Sequence, residues 1–139
     1  MKVGFTGTQT GLTDEQIGLI VEVISELDEM AEMHHGDCIG ADAQFFTIIR
    51  TLKPDVRITG HLPKDESKRA FCENDFEEKP LPYLDRNKNI VSEADVLIGA
   101  PESMKEKLRS GTWATIRHAR KVGVPRVIIW PDGKYTYED

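Results

Sequence analysis

The sequence predicts a single α/β domain over residues 1–139, built on a mostly parallel five-stranded sheet with helices on both faces. Two observations predict it. Short β-prone runs alternate with stretches of helical apolar spacing from end to end, joined by short connections, which is the pattern of βα units feeding a parallel sheet. One of those runs, DVLIGAP from Asp95 to Pro101, is almost continuously apolar, as expected of a strand buried on both faces.

KVGFT, Lys2 to Thr6, is the first β-prone run and is closed by Gly7. After the loop TGTQTG, Thr13 and Gln16 stand at capping-box spacing, and Ile17, Ile20, Val21, Ile24 and Leu27 then recur on one helical face. AEMHH is a plausible second strand, and Phe45, Ile48, Ile49 and Leu52 form a second helical stripe stopped by Pro54. VRITGHLP is the third strand, ending at Pro63. From Lys64 to Pro82 the periodicity fails, and the charges with Pro80 and Pro82 predict a long irregular segment holding at most one helical turn. PYLDRNKNIVSEA is expected to be helical, with Pro82 at a tolerated first position and Leu84, Val91 and Ala94 on one side. DVLIGAP follows, then a charged loop, a helix from about Gly111 to Val122 ended by Gly123, the strand PRVIIW, and a polar tail over residues 131–139. Right-handed crossovers leave few topologies for such a chain, and a doubly wound Rossmann-like sheet is the expected one.

Composition narrows the function classes. A formal net charge of −6 opposes sequence-independent binding of nucleic acid, which needs a basic surplus, although Lys105, Lys107, Arg109, Arg117, Arg120 and Lys121 gather late in the chain. A small ligand is therefore expected in preference to a polynucleotide. No apolar run approaches a membrane span, and MKVGFTG reads as a first strand rather than a leader, so no membrane partner is expected. Cys38 and Cys72 make no disulfide framework, which predicts a reducing, cytoplasmic setting.

In sheets of this kind ligands bind outside the carboxyl ends of the strands. The residues that follow the predicted strands are Thr6, Gly7, Thr8 and Gln9; His35, Gly36, Asp37, Cys38, Gly40 and Asp42; His61 and Pro63; Pro101 and then Arg109 to Thr112; and Pro131 to Gly133. Small and polar residues thus collect along one edge. Ser110, Gly111 and Thr112 stand where a helix begins, with free backbone N–H groups, the positive end of the helix dipole and Arg109 beside them. Those features suit a phosphate group as well as an ordinary N-cap. Asp42 falls in the first turn of its helix, where it either supports the dipole or meets a sugar hydroxyl or acts as a base. His34, His35, Asp37 and Cys38 lack a defined zinc spacing, and adjacent strand residues face opposite sides, so no metal is expected. Arg86 and Asn87 sit with Tyr83 on what reads as the solvated side of their helix, near its start, where they can turn toward the ligand edge. Trp113 reads as a packing residue.

Taken in order, these motifs resemble the SLOG superfamily. These are Rossmann-like domains that include DNA-processing protein A, the "Lonely guy" phosphoribohydrolases and the small YspA/YpsA-like proteins. The run Gly36-Asp37-Cys38-Ile39-Gly40-Ala41-Asp42 is similar to the Gly-Gly-Ala-Arg-Gly-Ala-Asp of the YspA-like branch, without its second Gly and its Arg. Asp95 to Pro101 is similar to the family's fourth strand, and Ser110-Gly111-Thr112 to its Gly-Gly-Thr phosphate turn. The resemblance implies a nucleotide-derived ligand, with its phosphate on Ser110 to Thr112 and its sugar and base near Thr6 to Gln9 and Gly36 to Asp42. No cofactor is implied. The hydrolytic branch carries Pro-Gly-Gly-X-Gly-Thr-X-X-Glu; here the Pro-Gly-Gly is missing and Thr115 stands at the glutamate position, leaving Asp42 or Asp37 as substitute carboxylates. Members of the family often pair, so a homo-oligomer is expected, with Phe71, Phe76, Tyr83 and Trp113 as candidate apolar contacts.

Overall fold

The computed structural model describes residues 1–139. The elements are β1 (Lys2–Gly7), α1 (Asp14–Glu26), β2 (Glu32–His35), α2 (Ala41–Leu52), β3 (Arg57–Pro63), β4 (Phe76–Leu81), α3 (Tyr83–Glu93), β5 (Val96–Ala100), α4 (Gly111–Val122), β6 (Arg126–Ile129) and β7 (Tyr135–Glu138), with one 3-10 turn at Glu66–Lys68. The strands form one sheet in the order β4-β3-β2-β1-β5-β6-β7; all neighbours run parallel except β7, which is antiparallel to β6. Strand order reverses on either side of β1, and the β1–α1 and β5–α4 loops meet at that point.

Alternation along the strands sends successive side chains to two cores. Val3, Phe5, Ile98 and Ile129 pack with Ile20 and Ile24 of α1 and with Phe45 and Ile49 of α2; the Phe5 and Phe45 rings stack at 4.1 Å. Leu97 and Ile128, one residue out of phase, pack with Ile90 and Val91 of α3 and Trp113, Ile116 and Ala119 of α4. Helices therefore cover both faces, and each fully buried large side chain contributes about 1.5–3 kcal/mol.

The sheet has seven strands, and the expectation of five needs correction at both edges. β4 lies inside the segment that reads as irregular. Its residues, FEEKPL, are nearly all exposed and include Pro80, so neither apolar alternation nor propensity marks it. Pairing with β3 makes it a strand, with a register shift between His61 and Pro63, and Asp75 Oδ2 accepts the Ile58 N–H at 2.8 Å just ahead of it. The expected tail 131–139 is instead a hairpin. Gly133 (φ 82°) turns the chain, Trp130 N–H donates to Lys134 O at 2.8 Å, and Tyr135 to Glu138 pair with β6.

The capping box at the start of α1 forms in full: Thr13 Oγ1 accepts the Gln16 N–H at 3.0 Å, and Gln16 Oε1 accepts the Thr13 N–H at 2.9 Å. Buried Gln16 also donates to Pro101 O at 2.8 Å and Ile129 O at 2.9 Å, tying α1 to the ends of β5 and β6. Thr13→Ala is expected to cost about 1 kcal/mol in urea unfolding, the usual value of a lost N-cap; an unchanged midpoint would show that the cap is dispensable.

Candidate ligand-binding cavity

A cavity of about 310 Å³ opens at the carboxyl ends of the strands, beside β1 and between the first turns of α2, α3 and α4. Twelve of the residues singled out from the sequence line it: Thr6, Gly7, Thr8, Gln9, Gly36, Asp42, Arg86, Asn87, Arg109, Ser110, Gly111 and Thr112. The remaining candidates lie beside it. His35 faces Asn74, with Nε2 2.6 Å from Oδ1. Asp37 is fully buried behind the loop, where its carboxylate takes Arg69 Nε at 2.7 Å and the Cys72 N–H at 3.0 Å. Gly40 (φ 91°) precedes α2 where a Cβ would overlap the Gln9 carbonyl, so it shapes the wall without lining it. Pro101 gives its carbonyl to Gln16.

Arg86 and Asn87 are not on a solvated face: they are 6% and 7% exposed. Arg86, Asn87, Ile90 and Val91 form the buried face of α3, and Leu84, expected on the apolar side, is 63% exposed. Gly36 explains how an arginine fits there, since a Cβ on it would overlap the guanidinium. Arg86 Nη1 donates to Gly36 O at 2.6 Å and to His61 O at 3.2 Å, and Nε donates to Asn87 Oδ1 at 2.8 Å. Nη2 has no protein acceptor, and no carboxylate lies within ion-pair distance of the group. Nη1 also donates to Cys38 Sγ at 3.6 Å. Neutral groups thus hold this buried cation, with the Asp42 carboxyl beyond ion-pair distance, and its charge is left for a ligand to balance.

Asp42, in the first turn of α2, is 5% exposed and accepts the Cys38 N–H through Oδ2 at 3.2 Å. Burial raises its pKa above the ordinary carboxyl value, while His35, Arg86 and the Cys38 N–H pull the other way. Burial likewise raises the Cys38 thiol, with Asp42 adding to it. At the opposite wall Ser110 caps α4, its Oγ accepting the Trp113 N–H at 3.3 Å, and a Cβ on Gly111 would meet nothing within 4 Å, so the backbone there is open to the cavity. Arg109 is exposed and has no acidic partner. The N-cap expected at Ser110 is made, and the N-terminal turn of α4 still faces the cavity.

Thr10 and Glu102, which no sequence motif marks, and Lys107, which the sequence shows only within a late run of charges, also line the cavity. Glu102 takes Lys107 Nζ at 3.1 Å and Thr10 Oγ1 at 3.1 Å, and these bonds hold its pKa below the ordinary value. Their signal was position, since all three follow strands at the ligand edge. Tyr83 also lines the cavity, with Arg86 5.0 Å over its ring. Trp113 is 1% exposed between α3 and α4, which removes it from the candidate contacts between copies; Phe71 and Phe76 remain at the surface.

Behind the cavity, ligand atoms of His35, Asp37 and Cys72 lie within 4.8 Å of one another. A cation there would sit against the Arg69 guanidinium. It would also need a thiolate where burial and Asp37 push the Cys72 pKa up to about 12.

A parallel sheet with a polar cavity at its switch point defines a Rossmann-like ligand-binding fold. No family model matches the sequence, and no curated protein matches it, but solved structures do. The chain is similar to TM1055, a structural-genomics target, at a TM-score of 0.66 and 17% identity over 90% of this chain and 71% of that one. It is similar to the molybdenum cofactor binding protein of Rippkaea orientalis at 0.68 and 18%, over 93% of this chain and 76% of that one. It is also similar to the single-stranded-DNA-binding DNA processing protein A of Helicobacter pylori at 0.59 and 16%, over 92% of this chain and 64% of that one. At such identities the shared property is the fold alone, and that fold is Rossmann-like. No helix is long and apolar enough to cross a membrane.

Proposed function

We propose that the protein binds a nucleotide or a nucleotide-derived phosphorylated small molecule in this cavity, as a sensor or sequestering module. The observation that carries the reading is the cavity's charge. Two guanidinium groups without carboxylate partners, Arg86 at depth and Arg109 at the rim, flank the open N-terminal turn of α4 in a protein whose net charge is −6. A volume near 310 Å³ is at the lower end for ligand pockets, which suits one nucleotide and not a longer strand. A thermal-shift screen against nucleoside mono-, di- and cyclic phosphates tests it, each hit being followed by chromatography for released base. A raised midpoint with intact ligand supports the binding module; no shift with any of them sinks it.

One observation favours a second reading, hydrolysis of the N-glycosidic bond of a nucleoside monophosphate. Asp42 offers a buried carboxyl on the cavity wall with its acid form favoured, as a general acid requires. Against it, Thr115 at the family's glutamate position is buried and its hydroxyl is spent on Gly111 O at 2.9 Å. Asp42→Asn keeps the shape and the acceptor for Cys38. In this second reading the variant loses release of base while binding adenosine 5′-monophosphate within a few-fold of wild type; release at the wild-type rate would exclude Asp42 as the acid.

A further inference from the structure

Residues 101–110, between β5 and α4, contain no helix or strand, yet they bring Glu102, Lys107, Arg109 and Ser110 to the cavity. Hydrophobic burial does not hold this segment, because Met104 is 55% exposed and Leu108 is 89% exposed. A segment without apolar anchors keeps one shape only if polar contacts hold it, and otherwise ordering it on binding subtracts from affinity. One contact set is internal, Lys107 to Glu102 to Thr10.

The other set comes from outside the cavity. Arg117, on the outer side of α4, donates through Nη1 to Glu106 Oε2 at 3.0 Å and to Lys107 O at 3.2 Å, and through Nη2 to Leu108 O at 3.0 Å. The second oxygen of Glu106 takes Arg120 Nη1 at 3.0 Å. Arg120 is itself fixed: Nε and Nη2 bond both oxygens of Glu138 on β7 at 2.8 and 3.0 Å, and its guanidinium lies 5.6 Å over the buried Trp113 ring. A single exposed ion pair would contribute little. Here one planar fork binds a carboxylate and two successive carbonyls at once, which sets the chain direction just before Arg109.

We propose that Arg117 is a positioning residue for the anion site: it holds residues 106–108 so that Lys107 and Arg109 face the ligand, without touching the ligand itself. The inference rests on the phosphate reading above. Binding of adenosine 5′-monophosphate and of adenosine to wild type, Arg117→Ala, Arg117→Lys and Arg109→Ala tests it by calorimetry. Arg117→Ala is expected to weaken the monophosphate about tenfold and leave adenosine unchanged. Arg117→Lys, which keeps the charge but loses the fork, is expected to weaken it as well. Arg117→Ala added to Arg109→Ala is expected to weaken binding by clearly less than its tenfold effect in wild type, because part of that effect passes through Arg109. Wild-type affinity in Arg117→Ala, or equal loss of monophosphate and adenosine, would overturn the proposal. If wild type binds neither compound, adenosine 5′-monophosphate is not the ligand, and the nucleotide reading is decided by the wider thermal-shift screen. Hydrogen exchange at residues 103–109 then decides the positioning role: faster exchange in Arg117→Ala upholds it, and an unchanged rate refutes it.

Discussion

Arg86→Met is expected to lower affinity for adenosine 5′-monophosphate by about 100-fold, the scale of a lost charge-assisted hydrogen bond in a desolvated site. The same change removes the donor to Gly36 O and His61 O, two carbonyls in the buried wall. Each buried acceptor left unpaired costs about 1–3 kcal/mol, so a loss of about 2–6 kcal/mol in urea unfolding is expected alongside. Arg86→Lys separates the two effects. A lysine keeps the positive charge near the ligand but cannot bond the two carbonyls in a planar fork, so binding should fall less than stability. A folded Arg86→Met that binds the monophosphate as wild type does would remove this group from the site.

Acid will destabilise the fold well above the range where carboxylates titrate. His61 is 3% exposed, and burial together with the neighbouring His34, His35 and Arg86 lowers its pKa to about 3. Its Nε2 lies 2.8 Å from His34 Nδ1, and its Nδ1 has no partner. In the unfolded chain the ring titrates near 6.5, so below that pH the unfolded state takes up a proton that the folded state refuses, and stability falls as pH falls. The slope approaches about 1.4 kcal/mol per pH unit between pH 6 and 4.5. His118, also lowered by burial, works in the same direction. Asp42, with its acid form favoured in the folded state, works in the opposite one as pH nears its own titration. Chemical unfolding across pH 7 to 4.5 measures the slope, and His61→Gln should flatten most of it. Constant stability over that range in wild type would mean that the fold admits the protonated ring.

The helix stripes of α1 and α2, the cap of α1 and the strand β5 were legible because each is written in local spacing, and the extents of α4 agree with the sequence from Gly111 to Val122. β4 was not legible, because an edge strand carrying Glu77, Glu78, Lys79 and Pro80 owes its conformation to β3 and not to its own composition. β7 had a signal in Asp132-Gly133 followed by Tyr-Thr-Tyr, which reads as a hairpin once β6 is known to precede it. The face of α3 was misread because arginine and asparagine at buried positions break the apolar pattern. Their burial depends on Gly36, fifty residues away.

The sequence alone determined the class of fold, the edge that carries the cavity, and most of the residue types that line it. Those follow from periodicity and from the rule that strand ends carry the ligand loops, both of which are local or topological. Tertiary structure alone decided which of two aspartates reaches the cavity. Asp42, in the first turn of α2, faces in, whereas Asp37, at φ 52°, turns its carboxylate back to Arg69. It also decided that Arg86 lacks a carboxylate partner while Arg117 has one, since pairing of charges depends on distances between segments that the sequence keeps far apart.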